Sequence, residues 1–191
     1  MKWVIASGNA KKRKEIEAIF APFGIQLLTS EQTIFVDVDE DANTFAGNAR
    51  KKAEAFAQAN SRPALADDSG LCVDALNGAP GVYSARFAGE PSSDAANNAK
   101  LLQLMAEEKN RSAHFTCALH VAFPDERADL QSEGQVNGEI LHTPAGSAGF
   151  GYDPLFFCPE LGKAFALATA EEKASVSHRG RALRAMTNLL L

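Results

Sequence analysis

Residues 3–12, which read WVIASGNAKK, determine the first secondary-structure elements of the fold. Trp3 to Ala6 predict a short buried strand, and Ser7-Gly8-Asn9 predict a turn from which a helix begins. Asn9 suits the N-cap of that helix, because its side-chain oxygen can accept from the first backbone N–H groups. We therefore expect strand, turn and helix in direct succession.

The same turn is a candidate phosphate site. A small-residue turn that opens a helix points backbone N–H groups and the positive helix end outward, a geometry that binds anions. Lys12 on the first helical turn adds a full charge, although Lys11 to Lys14 fit a solvated helix face equally well. The P-loop pattern Gly-x-x-x-x-Gly-Lys-Ser/Thr is absent, which excludes the common ATPase and GTPase architecture.

Downstream, an apolar run at Ile25 to Leu28 precedes an acidic loop at Asp37 to Asp41. A helix is predicted from about Thr44 to about Asn60, with an inner face made by Phe45, Ala49, Ala53 and Phe56. Strand pieces are expected at Ala64 to Ala66 and at Leu71 to Val73, on either side of Asp67-Asp68-Ser69-Gly70.

The second half of the chain predicts a helix over about Asp94 to Glu108 and strands at His114 to Phe123 and Asp129 to Val136. A turn at Pro124 to Arg127 makes those two strands a candidate antiparallel pair, so the sheet should be mixed. Thr169 with Glu172 is a capping-box pattern. The closing segment places four apolar residues on one helical face: Leu183, Met186, Leu189 and Leu190.

Acidic residues suggest a metal site. Asp67-Asp68 and the loop at Asp37 to Asp41 offer hard oxygen ligands, which Mg²⁺ prefers together with water and substrate phosphates. The alternative is structural: the two acids cap a turn that Ser69 and Gly70 close.

The loop Gly149-Phe150-Gly151-Tyr152-Asp153-Pro154 sets aromatic rings between glycines, where a ring can stack on a base, although a structural turn explains it too. Further on, Lys173, His178 and Arg179 are potential partners for phosphate or base acceptors. A phosphate cradle, metal carboxylates, a base platform and cations together are what a nucleoside-triphosphate hydrolase requires.

Composition narrows the class of protein. A chain of 191 residues with 46% hydrophobic and 23% charged residues suits one globular domain, residues 1–191. The three cysteines, Cys72, Cys117 and Cys158, are widely spaced and predict small buried residues without a disulfide framework. No apolar stretch is long enough for a membrane span or signal peptide, so a cytoplasmic location is expected. A net charge of −5 argues against nonspecific nucleic-acid binding.

The sequence also resembles the inosine-triphosphate pyrophosphatase family, nearly from end to end. The matching motifs are SGNAKK (7–12), TFAGNARKKA (44–53), ADDSGL (66–71), GAPGVYSARF (78–87), GFGYDP (149–154), and EEK with SHRG within residues 171–180.

This resemblance implies a two-lobed α/β fold around a long mixed sheet, a homodimer, and a nucleotide cleft between the lobes. It implies hydrolysis of ITP, dITP and XTP to the monophosphate and pyrophosphate, with Mg²⁺ as cofactor. Asp68 is the implied catalytic residue and a metal ligand. The implied substrate contacts are Ser7, Gly8, Asn9, Ala10, Lys11, Lys12, Lys52, Ser69, Phe150, Gly151, Tyr152, Asp153, Lys173, His178 and Arg179.

One departure concerns the second metal ligand. The family carries a Glu-rich turn ahead of the Thr-Phe motif, whereas this chain has Asp37-Val38-Asp39-Glu40-Asp41 there, so Glu40 or Asp39 is the expected ligand. Ser7 stands where Thr is frequent and keeps the hydroxyl.

The mechanism that follows has Asp68 deprotonate the attacking water while Lys12, Lys52 and Lys173 neutralise the departing phosphates. His178 or Arg179 would donate to the 6-oxo group of the base, and Phe150 would stack on it. Three alternatives stay open at this point: a nucleotide-binding regulatory protein without turnover, a pyrophosphatase for other modified nucleotides, and a nucleic-acid-binding protein.

Overall fold

The structure is a computed structural model that describes residues 2–190. Strands and helices alternate through the first half, and strands cluster in the second. The strands are β1 (Lys2–Ile5), β2 (Gln26–Leu27), β3 (Ala64–Val73), β4 (Ser112–Ala122), β5 (Leu130–Ile140), β6 (Phe156–Cys158) and β7 (Lys163–Ala164). The helices are α1 (Ala10–Phe20), α2 (Phe45–Asn60), α3 (Asp94–Leu104), α4 (Ala170–Val176) and α5 (His178–Leu189).

The seven strands form one sheet in the order β2-β1-β3-β4-β5-β6-β7. β1 is parallel to both β2 and β3, whereas β5, β6 and β7 pair antiparallel. The expectation of an α/β fold with a mixed sheet is therefore confirmed.

The chain divides into two compact units. The first unit comprises the chain up to Asp68, Cys117–Gly134 and the segment from Arg179 onward; the second unit comprises Ser69–Thr116 and Gln135–His178. The expectation of a single domain with a nucleotide cleft stays a prediction.

In the first unit, apolar side chains cover both faces of the sheet. One face packs Trp3, Ile5 and Leu65 against α1 and α5, and the other packs Val4, Ala64 and Ala66 against α2. In the second unit, the core gathers around the rings of Phe115, Phe156 and Phe165, with Leu101 of α3 and Val136 of β5.

Helix starts agree with the sequence. Asn9 caps α1, Thr44 caps α2, and Thr169 with Glu172 forms a capping box on α4. These signals are local, since each cap bonds backbone N–H groups two or three residues away.

Some boundaries and faces were predicted wrongly. α3 ends at Leu104 rather than near Glu108, and β5 continues to Ile140. Phe45 is only partly buried, and Leu189 is 52% exposed, so neither is buried as the face predicted for its helix required. None of the helices within residues 2–190 is long and apolar enough to cross a membrane.

Candidate active site

The two adjacent acids lie inside a strand. β3 runs without a break from Ala64 to Val73, so the predicted pair of strand pieces is wrong, and so is the alternative of a turn at Asp67 to Gly70. Successive side chains of a strand point to opposite faces of the sheet. Asp67 therefore follows Leu65 toward α1 and α5, while Asp68 follows Ala66 toward α2.

Asp67 is the centre of a buried ion-pair network. Its Oδ2 lies 3.0 Å from Lys12 Nζ and 3.1 Å from an Arg179 guanidinium nitrogen. Arg179 in turn donates to Glu15 Oε2 at 2.7 Å. Burial alone would raise the pKa of Asp67, but Lys12, Arg179 and Lys52 together hold it well below its usual value. Asp67 is therefore a carboxylate that organises cations from α1 and α5.

The second carboxylate oxygen of Asp67, Oδ1, has a different hydrogen-bonding environment. Oδ1 is buried and accepts no hydrogen bond from residues 2–190. A buried acceptor without a donor costs free energy, so it needs a structural or functional reason.

Asp68 has a separate environment on the other face. Its Oδ2 accepts from Asn48 Nδ2 at 3.0 Å, and its Oδ1 lies 3.9 Å from Lys52 Nζ. Burial raises the pKa of this carboxyl, opposed by Lys52 and the Asn48 hydrogen bond and assisted by Glu40. A carboxylate with a raised pKa holds a proton more strongly, which suits a general base.

Lys52 connects the acids to the acidic loop. Its ammonium donates to Glu40 Oε2 at 3.0 Å and to the Asp67 carbonyl at 2.9 Å. Asp39 is exposed, and the neighbouring Asp41 pairs instead with Lys51. Of the two predicted loop ligands, Glu40 thus lies in the Lys52 network with Asp68.

The predicted Mg²⁺ site can be compared with the side-chain ligands that the structure brings together. No group of three or more His, Cys, Asp or Glu side chains in residues 2–190 could hold an ion by itself. Magnesium, however, commonly binds through one or two carboxylates and completes its shell with water and substrate phosphates. Asp68 and Glu40 already share one cation, the Lys52 ammonium, so their donor set fits a divalent ion.

The predicted phosphate turn is partly occupied by its own cap. Asn9 Oδ1 accepts from the backbone N–H groups of Lys11 and Lys12, and Ser7 Oγ accepts from that of Asn9. Gly8, Asn9 and Ala10 are exposed. Beside this turn lies a cavity of about 200 Å³, whose walls also include Phe35 and Phe56.

In the second unit, Asp153 organises the Gly/aromatic loop. Its Oδ2 accepts from the Phe150 backbone N–H at 2.9 Å and from Lys173 Nζ at 2.6 Å. Lys173 Nζ also lies 4.8 Å from the centre of the Phe150 ring. Gly149 has a φ of +78°, and a Cβ there would stand 2.0 Å from Asp153 Oδ2, so glycine is required. The predicted loop, lysine and ring thus form one cluster.

Tyr152 and Gly151 are held by internal hydrogen bonds. The Tyr152 hydroxyl donates to the Ser84 carbonyl at 2.8 Å, and the ring is buried. Burial raises the pKa of this phenol, assisted by Asp94. The Gly151 backbone N–H donates to Asp94, and its carbonyl accepts from Asn98. These contacts give the loop a fixed shape.

His178 and Ser69 complete the predicted set. The His178 ring is buried and stacks on Phe115 with ring centres 4.8 Å apart and planes 13° from parallel. Ser69 follows Asp68 in β3 and is half-buried. The structure therefore gathers Lys12, Lys52, Asp68, Glu40 and Arg179 in the first unit, and Phe150 to Asp153, Lys173 and His178 in the second.

Sequence reasoning missed three residues of the first-unit network: Glu15, Asn48 and Asp67 as an ion-pair centre. A signal existed for Asn48, which precedes Lys52 by four residues and therefore shares its helix face. For Glu15 and Asp67 the partners lie far along the chain, and no local pattern marks them.

Fold and site together define an α/β protein in which one sheet strand presents adjacent carboxylates, Asp67 to Lys12 and Arg179, and Asp68 to Asn48 and Lys52. The family model of the Ham1 family matches residues 3–189. The chain belongs to the Ham1 family.

Relatives agree over the full length. The chain is 50% identical over 193 residues to a protein of Desulforamulus reducens named dITP/XTP pyrophosphatase, covering all of this chain and 96% of that one. A protein of the same name from Aromatoleum aromaticum is 49% identical over 95% of this chain and 92% of its own. These relatives confirm the resemblance drawn from the motifs.

Solved structures agree as well. The Ham1 protein of Staphylococcus aureus matches with a TM-score of 0.91 and 40% identity, covering all of this chain and 98% of that chain. A HAM1 protein from Coxiella burnetii matches with a TM-score of 0.92 and 37% identity over the same shares.

Proposed function

We propose that this chain hydrolyses dITP, XTP and ITP to the nucleoside monophosphate and pyrophosphate. The observation that carries the proposal is the full-length identity of about half to relatives named dITP/XTP pyrophosphatase. The site supports it, because a triphosphate needs cations to offset its charge and a base to activate water. Lysines beside two differently tuned carboxylates supply both.

In this proposal Asp68 accepts the proton of the attacking water, favoured by its raised pKa. Lys12, Lys52 and Lys173 are assigned to neutralising the phosphates, and the Ser7 to Lys12 turn to holding them. Mg²⁺, held by Asp68 and Glu40, would supply Lewis-acid stabilisation of charge on the phosphoryl oxygens.

Base selectivity is assigned to the second unit. Phe150 would stack on the base, and His178 would donate a hydrogen bond to its 6-oxo group. Adenine carries a 6-amino group at that position, which is itself a donor and cannot accept this bond. The three guanidinium nitrogens of Arg179 already donate to Asp67 or Glu15, which supports His178 rather than Arg179 as that donor.

The deciding experiment measures pyrophosphate release from ITP, dITP, XTP, GTP and ATP with Mg²⁺. The 6-oxo deaminated purines should be cleaved with far higher kcat/KM than ATP. Asp68→Asn should lower kcat by about 10²–10⁴-fold, as loss of a general base commonly does. Near-normal turnover of that variant would remove Asp68 from the role, and ITP binding without pyrophosphate release would favour the regulatory alternative.

We further propose that the working form is a homodimer. This assembly is a property that the motif resemblance implied, and sedimentation velocity measures it directly. A single species at the mass of one 20.4 kDa chain would contradict it.

A further inference from the structure

Asn48 uses both ends of its side-chain amide in the interior of the first unit. It is 1% exposed and lies in the first turns of α2. Its Nδ2 donates to Asp68 Oδ2 at 3.0 Å, and its Oδ1 accepts from the Ala42 backbone N–H at 2.9 Å. One uncharged side chain therefore joins the strand acid to Ala42, the residue that directly follows the acidic loop.

The loop is pressed closely against α2 at the same place. A Cβ added to Gly47 would stand 2.8 Å from the Ala42 Cβ and 3.0 Å from Thr44 Oγ1. Contacts that short do not occur between real Cβ atoms, so Ala42 would have to move. Gly47 is thus required by the approach of the loop to the helix.

From Ala42 the chain leads two residues back to Glu40, whose carboxylate meets Lys52 at 3.0 Å. Lys52 lies four residues after Asn48 on the same face of α2, and its ammonium is 3.9 Å from Asp68 Oδ1. The contacts close a ring that runs from Asp68 through Asn48, the loop, Glu40 and Lys52 back to Asp68.

We infer that Asn48 is a positioning residue that fixes Glu40 and Asp68 relative to each other for binding one divalent cation. The inference rests on the metal assignment in the proposed function. Asn48 carries no charge with which to neutralise a bound phosphate. It acts instead through Asp68, the acid that it orients. Partners that orient metal ligands commonly change metal affinity by about 10–100-fold when removed.

The test replaces Asn48 by alanine and measures Mn²⁺ affinity from the electron paramagnetic resonance signal of the free ion, without nucleotide. Affinity should fall about 10-fold or more. In a parallel assay, the Mg²⁺ concentration that half-saturates ITP hydrolysis should rise by a similar factor, while KM for ITP at saturating Mg²⁺ stays unchanged. A general loss of structure would not separate these two quantities.

The matched control is Asn60→Ala in the same helix. Asn60 also clamps the preceding segment with both amide ends, to the Ile34 backbone N–H at 2.7 Å and carbonyl at 3.0 Å, but touches neither acid. It should leave Mn²⁺ affinity unchanged. Gly47→Ala is the second variant, which displaces Ala42 without removing the Asn48 amide, and it should weaken Mn²⁺ binding too.

Unchanged Mn²⁺ affinity in folded Asn48→Ala, or an equal loss in Asn60→Ala, would overturn the inference. If circular dichroism shows that Asn48→Ala does not fold, unchanged affinity in Gly47→Ala overturns it instead. A wild-type chain without Mn²⁺ affinity overturns it as well. Pyrophosphate release by the wild type is scored separately, so failure of the proposed function and failure of this inference are distinguishable.

Discussion

Asp67 and Asp68 are chemically identical neighbours with opposite electrostatic environments. Lys12 and Arg179 lower the pKa of Asp67, whereas burial dominates at Asp68 and raises the pKa of that carboxyl. The difference arises from strand alternation, which turns one acid toward α1 and α5 and the other toward α2. A charge organiser and a candidate base can therefore occupy consecutive positions.

Replacing Asp67 by asparagine should destabilise the protein. The change leaves Lys12 and the buried Arg179 without their shared carboxylate, and breaking a buried ion pair from one side commonly costs about 3–5 kcal/mol. Urea unfolding followed by circular dichroism measures the free energy of unfolding. Asp125→Asn, which breaks the exposed pair with Arg127, is the control and should change nothing measurable.

The cysteines should differ in reactivity. Burial raises the pKa of the Cys117 thiol to about 12, so almost no thiolate forms at pH 8, and only the thiolate is nucleophilic. Cys72 is half-buried, unlike the fully buried residue that the sequence predicted. In the native protein a thiol reagent at pH 8 should modify Cys72 before Cys117 and Cys158.

Because the pKa of Cys117 is raised, its thiolate fraction, and with it the rate of modification, should still increase with pH at values where a thiol of ordinary pKa is already ionised. Peptide mapping by mass spectrometry assigns the modified site, and urea should make all three thiols react alike. Fast modification of Cys117 in the folded protein at pH 8 would contradict its burial.

At the level of elements, sequence reasoning succeeded where the determinant is local. The caps at Asn9 and Thr169 and the start of α2 near Thr44 were predicted, because each depends on residues two or three positions away. β3 was divided in error, because Asp, Ser and Gly are poor strand formers by themselves. Pairing with β1 and β4 on either side outweighs that preference, and tertiary pairing cannot be read from the segment alone.

The same limit applies to the site. Lys12, Lys52 and Asp68 lie within recognisable motifs and were therefore named as candidate site residues. Asp67 was seen only as part of a turn or metal motif, because its partner Arg179 lies 112 residues away in the chain. Long-range charge pairing needs the fold to reveal it.

The pairing of β5 with β6 gives a prediction at this scale. A Cβ at Gly138 would stand 2.3 Å from the Phe157 carbonyl oxygen and 2.5 Å from the Phe156 ring. Gly138→Ala should therefore lower the free energy of unfolding by about 1–3 kcal/mol, the usual cost of overpacking. Glu139→Ala at the next, exposed position is the control. Equal stability of the two variants in urea unfolding would show that the strands can separate without cost.

At the scale of the whole molecule, net charge and its distribution govern which charged partners the protein attracts. The net charge of −5 argues against a general attraction to nucleic-acid backbone, and Lys12, Lys52 and Lys173 are each paired with a carboxylate. Anion binding is expected only where lysines gather, as at the candidate site.

A fluorescent DNA or RNA oligonucleotide should accordingly show no anisotropy change with the wild-type chain, even at low salt, where such binding is strongest. A labelled ITP analogue serves as the positive control. Salt-sensitive binding of the oligonucleotide would support the nucleic-acid alternative.

The continuity of β3 also determines which kinds of mutation the protein can tolerate. A one-residue shift in a strand moves every following side chain to the opposite face. Deleting a single residue between Ala64 and Asp67 would keep both aspartates in the gene, yet direct each toward the partners of the other. Lineages of this protein should therefore accept substitutions within β3 far more readily than insertions or deletions ahead of its acids.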